Sequence, residues 1–130
     1  MISSVMRSFA KFYTPTHEWI DIVGRVGTVG ITSYAVHHLG DVNFVEPQIG
    51  KEVKAGDELC DIESTKATSP IFAPLPGKII EANKAVQNDP SLVNKSPEKE
   101  GWILKLGLDS DDTSKLMNEA EYNNFLKSKS

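Results

Sequence analysis

A single cysteine, Cys60, excludes an intramolecular disulfide and any multi-cysteine zinc site in this 130-residue chain. Apolar residues never run together for the roughly 20 positions that a membrane-spanning helix needs. Basic residues are scarce too: 14 Lys and Arg stand against 18 Asp and Glu, a net charge of −4, with no basic stripe of the kind that grips nucleic acid. Neither a membrane nor a nucleic acid is therefore expected as a partner. What is present is ordinary globular composition, 39% hydrophobic and 25% charged, enough for one domain with a short appendage.

Acid is missing from the start of the chain, where Glu18 is the first acidic residue. Before it stand Arg7, Lys11, Ser3, Ser4 and Ser8. Basic, Ser-rich, acid-free composition without a continuous apolar core is that of an organelle transit peptide rather than a secretory signal. Residues 1–10 are predicted to be a presequence and residues 11–130 the working domain. The destination that follows is the matrix of a mitochondrion or a mitochondrion-derived organelle.

From Glu18 to Leu108 the chain reads as short strands separated by Gly, Pro and Asn. Ile20 and Ile22 alternate around Asp21, Val29 and Ile31 around Gly30, and Val42 and Phe44 around Asn43. Trp102, Leu104, Leu106 and Leu108 form the clearest period-two run. One helix interrupts them: Thr32 caps it, Ala35, Val36 and Leu39 share a face, and Gly40 ends it. A second is predicted at the C-terminus from Leu116, Met117, Tyr122, Phe125 and Leu126, with Asn118 and Glu121 spaced as a capping pair. The architecture predicted is mainly β, a compact sandwich or barrel with small helices at its edge.

The most informative segment is GDELCDIESTKATSPIFAPLPGKIIEAN, which begins at Gly56. Lys66 sits between two strand-like runs, residues 59–63 and 71–73, with Gly56 and Gly77 nearly symmetrical about it. If those runs pair antiparallel, residues 64–67 form the connection and Lys66 projects from its tip. A Schiff-base or general-base lysine needs desolvation or a neighbouring cation. Asp61 and Glu63 supply the opposite surroundings. Lys66 is therefore no catalyst: it is placed either as an exposed acceptor that another enzyme can acylate or as a plain solvated turn lysine, and the spacing alone leaves both open.

Other chemistry-bearing residues point to bland roles. Cys60 with His17 as base is a conceivable nucleophile, but Cys60 lies in a strand pattern beside Ile62, where cysteine behaves as a small hydrophobe. His37 and His38 are adjacent and point apart on a helix, a poor metal pair. Trp19 and Trp102 read as core aromatics. Gly24, Gly27 and Gly30 lack the dinucleotide spacing. Asp109, Asp111 and Asp112 read as a solvated approach to the last helix.

Taken in order along the chain, YTPTHEWI, VGITSYAVHHLGDV, IESTKA, APLPGKIIEAN and the stretch from Leu92 through EGWILKL resemble the H protein family of the glycine cleavage system. The resemblance assigns these segments to an opening, a first helix with its following strand, an attachment hairpin, a returning strand and a closing strand. It implies a barrel-sandwich hybrid of two small sheets and a carrier rather than an enzyme. Lipoic acid would be amide-linked to Lys66, with Glu63, Thr65 and Ala67 read by the lipoate-attaching enzyme. The arm would carry the aminomethyl group of glycine from the P protein (glycine decarboxylase) to the T protein (aminomethyltransferase). The L protein (dihydrolipoamide dehydrogenase) would reoxidise it. Glu18 and Thr16 match the cleft that holds the loaded arm, and a monomer without metal is expected.

Three departures bear on that reading. Pro70 stands where an acid is frequent in the family, Thr65 where valine is commoner, and the loop from Glu46 to Gly50 is one residue shorter. Two rivals share the fold. A biotin carrier presents its lysine between methionines, whereas here the neighbours are Thr65 and Ala67. A lipoyl domain of a 2-oxoacid dehydrogenase carries an acid directly before the lysine. A lipoate relay or an unmodified interaction module is the alternative from a different class.

Overall fold

The structure is a computed structural model that describes residues 10–129. The expected presequence, residues 1–10, lies outside the described residues except for the backbone of Ala10, which opens the first strand.

Strands β1 (Ala10–Tyr13), β2 (Glu18–Val23) and β3 (Val26–Ile31) form an antiparallel meander. Helix α1 (Ser33–Leu39) follows, and then β4 (Val42–Val45), β5 (Glu52–Val53), β6 (Glu58–Ser64), β7 (Thr68–Phe72) and β8 (Gly77–Ala82). Helices α2 (Lys84–Asn88) and α3 (Ser91–Lys95) precede β9 (Leu104–Leu108), and α4 (Glu119–Ser128) closes the described chain. The strands make a six-stranded sheet, β1-β2-β3-β9-β8-β5, and a three-stranded sheet, β4-β6-β7, with every pairing antiparallel. This is the mainly β, two-sheet architecture that the sequence predicts.

The alternating residues meet between the sheets. Ile20 and Val29 from the large sheet pack with Leu59, Ile62 and Ile71 from the small one, and Leu104 and Leu106 complete the layer. Full burial of each such side chain stabilises by roughly 1.5–3 kcal/mol, which is why period-two spacing so strongly selects this sheet face. The other face of the large sheet has its own aromatic cluster, in which Tyr13, Trp19 and Tyr122 are joined by Trp102, Met117 and Phe125. Helix α4 therefore docks through Tyr122, whose ring stacks on Tyr13 at 4.7 Å.

Capping follows the sequence reading. Thr32 accepts from Ala35 N–H, and Asn118 forms a full capping box with Glu121. Leu116 and Met117 precede α4 rather than joining it, and Met117 bridges to Tyr13.

Three local expectations need correction. Phe44 does not share the inward face with Val42. A bulge between them turns Val45 inward and leaves Phe44 47% exposed. Residues 92–95, assigned to the closing strand, lie in α3, and the strand itself starts at Leu104. Nor is α1 the single helix among the strands: α2 and α3 have five residues each, too few to repeat a 3.6-residue period, and so escape a reading by periodicity.

Candidate functional site

Strands β6 and β7 pair from Glu58↔Phe72 to Glu63↔Thr68 and leave Lys66 at the apex of their hairpin. The turn closes through Ser64: its N–H donates to Ala67 O at 2.9 Å, its hydroxyl to the same oxygen at 2.9 Å, and Ala67 N–H returns to Ser64 Oγ at 3.3 Å. Thr65, Lys66, Ala67 and Glu63 are all exposed. The small side chains at the tip leave the ε-amine of Lys66 accessible to a large enzyme.

Beside the hairpin lies a cavity of about 240 Å³, with one wall from α1 and the other from β7. Tyr34, His38 and Leu39 line the first wall, and Ser69, Pro70 and Ile71 the second, with Thr16, His17 and Glu18 between them. Lys66 stands outside this lining. Its stem rests on Gly40, the residue that ends the α1 wall.

Glu18 opens β2, in the large sheet, yet its side chain reaches the small sheet. One carboxylate oxygen accepts from the hydroxyls of Thr14 at 2.6 Å and Thr16 at 2.5 Å; the other accepts from Phe72 N–H at 3.0 Å. Only 2% of Glu18 is exposed. Burial pushes its carboxyl above the usual range, and the three donors oppose that shift. Glu18 thus pins the two sheets together at the base of the cleft. Thr16, exposed at the cleft edge, is the most exposed of the three donors.

His17 shapes the same wall. Its backbone is left-handed, φ 74°, and it is the only non-glycine with positive φ among the described residues. Two hydrogen bonds hold that conformation, His17 N–H to Thr14 O and Thr32 N–H to His17 O, both at 3.0 Å. Its Nδ1 lies 2.8 Å from the Tyr122 hydroxyl, which lies 2.8 Å from Thr32 Oγ1. Burial lowers the His17 pKa, and Lys129 and His38 add to the effect. The His17 ring packs on Tyr34 at 4.4 Å, and Tyr34 on His38 at 4.5 Å. An aromatic ladder therefore runs from α4 to the cleft.

The structure brings Thr16 and Glu18 together with Pro70 around one cleft, and Lys66, Glu63, Thr65 and Ala67 on one hairpin. Sequence reasoning missed Tyr34, His38, Phe72 and Tyr122. The adjacent histidines signalled only that they were no metal pair, and nothing local links Phe72 to Glu18, 54 residues away. Cys60 and His17 are not brought together: Cys60 lines a separate groove on β6, and His17 belongs to the cleft. Burial, with Asp61 adding, pushes the Cys60 thiol up to about 12 and leaves it inert as a nucleophile.

Two sheets, an exposed hairpin lysine and an adjoining cleft define a carrier domain of the lipoyl-bearing barrel-sandwich class. Residues 11–129 match the family model described as glycine cleavage H-protein, and the chain belongs to that family. Its members are non-catalytic carriers of a lipoyl group on lysine, serving the other components of the glycine cleavage system. The chain is 46% identical over 117 residues to the glycine cleavage system H protein of Thermotoga maritima, covering 88% of this chain and 94% of that protein. It is 44% identical over 125 residues to glycine cleavage system H protein 2, mitochondrial, of Arabidopsis thaliana, covering 95% and 80%. The crystal structure of a glycine cleavage system H protein from Mycobacterium marinum is similar with a TM-score of 0.82 and 35% identity, covering 93% of this chain and 99% of that one.

Proposed function

We propose that Lys66 is the residue that carries the lipoyl group, through an amide to its ε-amine. The observation that carries this reading is the position of Lys66 at an exposed hairpin apex, beside a cleft with apolar residues on both walls. The residues present suit the group: an accessible primary amine for attachment, and Tyr34, Leu39 and Ile71 to pack against an aliphatic chain. The lipoyl group itself supplies a disulfide that accepts the one-carbon cargo and is restored by oxidation.

The chain's own residues attach, present and shelter. Glu63, Thr65 and Ala67 border Lys66 on the surface that an attaching enzyme meets. Thr16 offers a hydroxyl at the cleft edge, and Glu18 holds that hydroxyl in place from below. Pro70 has neither charge nor N–H, so the cleft wall opposite α1 holds the arm by shape alone at this position. Glycine decarboxylase, the aminomethyltransferase and dihydrolipoamide dehydrogenase are the partners that would draw the arm out in turn.

Residues 1–10 are assigned as a presequence, and a mitochondrion or mitochondrion-derived organelle as the location. Support comes from their basic, acid-free composition and from the mitochondrial relative in Arabidopsis. Intact mass with peptide mapping of protein from its native cells tests the central assignment. The expected result is one lipoyl group on the peptide containing Lys66. A biotin adduct, an unmodified chain or a lipoyl group on Lys54 or Lys78 would overturn it.

A further inference from the structure

The hairpin turn does not hold its own outer amide. Thr65 N–H points away from the turn closed by Ser64 and Ala67, and donates instead to Asp41 O at 2.9 Å. The acceptor lies in the two-residue link between α1 and β4, Gly40 and Asp41, next to Val42, which pairs with Ser64 at the end of the β4–β6 ladder. Gly40 presses on the tip from the same side. A methyl group placed on it would lie 2.8 Å from Thr65 Oγ1, 3.4 Å from Lys66 Cγ and 3.6 Å from Lys66 Cδ. Gly40 also sits at φ 77°, so glycine is required twice, for conformation and for closeness.

The Val42↔Ser64 pair fixes the β4 end of this two-residue link, and its other end needs a second tie. Asn94, on α3, spans it: Val42 N–H donates to Asn94 Oδ1 at 2.9 Å, and Asn94 Nδ2 donates to Gly40 O at 2.9 Å. One amide side chain thus satisfies a donor and an acceptor on either side of Asp41, whose carbonyl takes the Thr65 bond. No charge is involved, so the arrangement is insensitive to salt and to pH in the neutral range.

We propose that Asn94 is a positioning residue for the modified lysine: it clamps residues 40–42 into a shelf that carries the Thr65 backbone and the Lys66 stem. The proposal rests on the reading of Lys66 as the attachment site and goes beyond it. The shelf fixes the pose in which the ε-amine meets the attaching enzyme. Because Gly40 directly follows the α1 wall, it also sets the side of the hairpin from which the arm departs, toward the cleft. Asn94 acts through its hydrogen bonds to Gly40 O and Val42 N–H, which bracket Asp41, and makes no hydrogen bond to Lys66.

The full chain, unmodified, provides the test as wild type, Asn94→Ala and Asn94→Asp. Asp keeps the acceptor for Val42 N–H but turns a carboxylate oxygen toward Gly40 O, so it breaks the Gly40 half of the clamp alone. Amide hydrogen exchange is followed by NMR at Thr65, with the β6 and β7 ladder amides as internal reference. Lipoylation by a purified lipoate ligase with lipoate and ATP gives KM and kcat for the protein substrate.

In Asn94→Ala, Thr65 exchange is expected to rise about tenfold while the ladder amides stay unchanged, the cost of releasing one ordered hydrogen bond. KM should rise by a similar factor with kcat nearly constant, and Asn94→Asp should move both readouts in the same direction. Unchanged Thr65 exchange in a folded variant would overturn the shelf, as would a change shared equally by all ladder amides. Unchanged KM with faster Thr65 exchange would overturn the role in presentation. An adduct mapped to another lysine would instead sink the attachment reading, and the Thr65 exchange result would still stand as a measure of the shelf.

Discussion

At the hairpin apex, Thr65 to Thr68 are exposed and two of the bonds closing the turn run through the Ser64 hydroxyl. At the cleft base, Glu18 is 2% exposed and takes three hydrogen bonds from Thr14, Thr16 and Phe72. The contrast separates two demands on a carrier. A residue that other proteins must reach is left in water, where it contributes little to folding. A carboxylate placed between two sheets must be saturated with donors, or its desolvation would cost more than it returns. Glu18 is therefore a structural pin, and Thr16 is the exposed member of its hydrogen-bond set.

The sharpest way to break this contrast is Lys66→Arg. Guanidinium cannot form the amide, so lipoylation measured by intact mass should fall to zero, while stability stays within about 0.5 kcal/mol of wild type. A large drop in thermal stability would mean that the apex is not the energetically idle region described above.

Glu18→Ala should do the reverse, costing about 3 kcal/mol in urea unfolding because the Phe72 N–H and two hydroxyls lose their acceptor together. The pH dependence has a definite sign. Burial raises the folded pKa of Glu18, so its stabilising effect is complete below the unfolded value of about 4.3 and erodes as pH rises through the folded value. The advantage of wild type over Glu18→Gln should shrink as pH rises above the unfolded value of about 4.3.

A smaller effect belongs to the cleft wall. The folded pKa of His17 is lowered by burial, with Lys129 and His38 adding to the effect, so its contribution is present above the unfolded value of about 6.5 and lost as pH falls below it. Acidification to about pH 5 should destabilise wild type more than His17→Gln, read from thermal midpoints in matched salt. Equal slopes would mean that the link from Tyr122 to the cleft is energetically silent.

The smallest effect on folding is expected for Glu63→Ala, within about 0.5 kcal/mol, yet initial lipoylation rates should fall several-fold. Equal rates would reduce Glu63 to a solvated charge and confine recognition to residues 65–67.

Period-two spacing at Ile20, Ile22, Leu104, Leu106 and Leu108 made the core legible, because burial on one sheet face tolerates no other pattern. Caps at Thr32 and Asn118 were legible for a similar reason: a helix end must satisfy its N–H groups from nearby residues. Lys66 stood out because a hairpin is a local object, its two strands only a few residues apart. The bulge that exposes Phe44 left no such mark, since one extra residue in a strand shifts the face without changing composition.

The sequence by itself thus determined the mainly β class, the hairpin around Lys66, both ends of α1 and the start of α4, all legible in the spacing of nearby residues. Only the tertiary structure decided that Glu18 joins Phe72 across the sheets, that Tyr122 anchors His17, and that Asn94 holds the link beneath Thr65. Those contacts span 54, 105 and 52 residues to Phe72, Tyr122 and Val42 respectively. A hydrogen bond between distant residues depends on where two folded elements come to rest, and no local spacing in the chain encodes that distance.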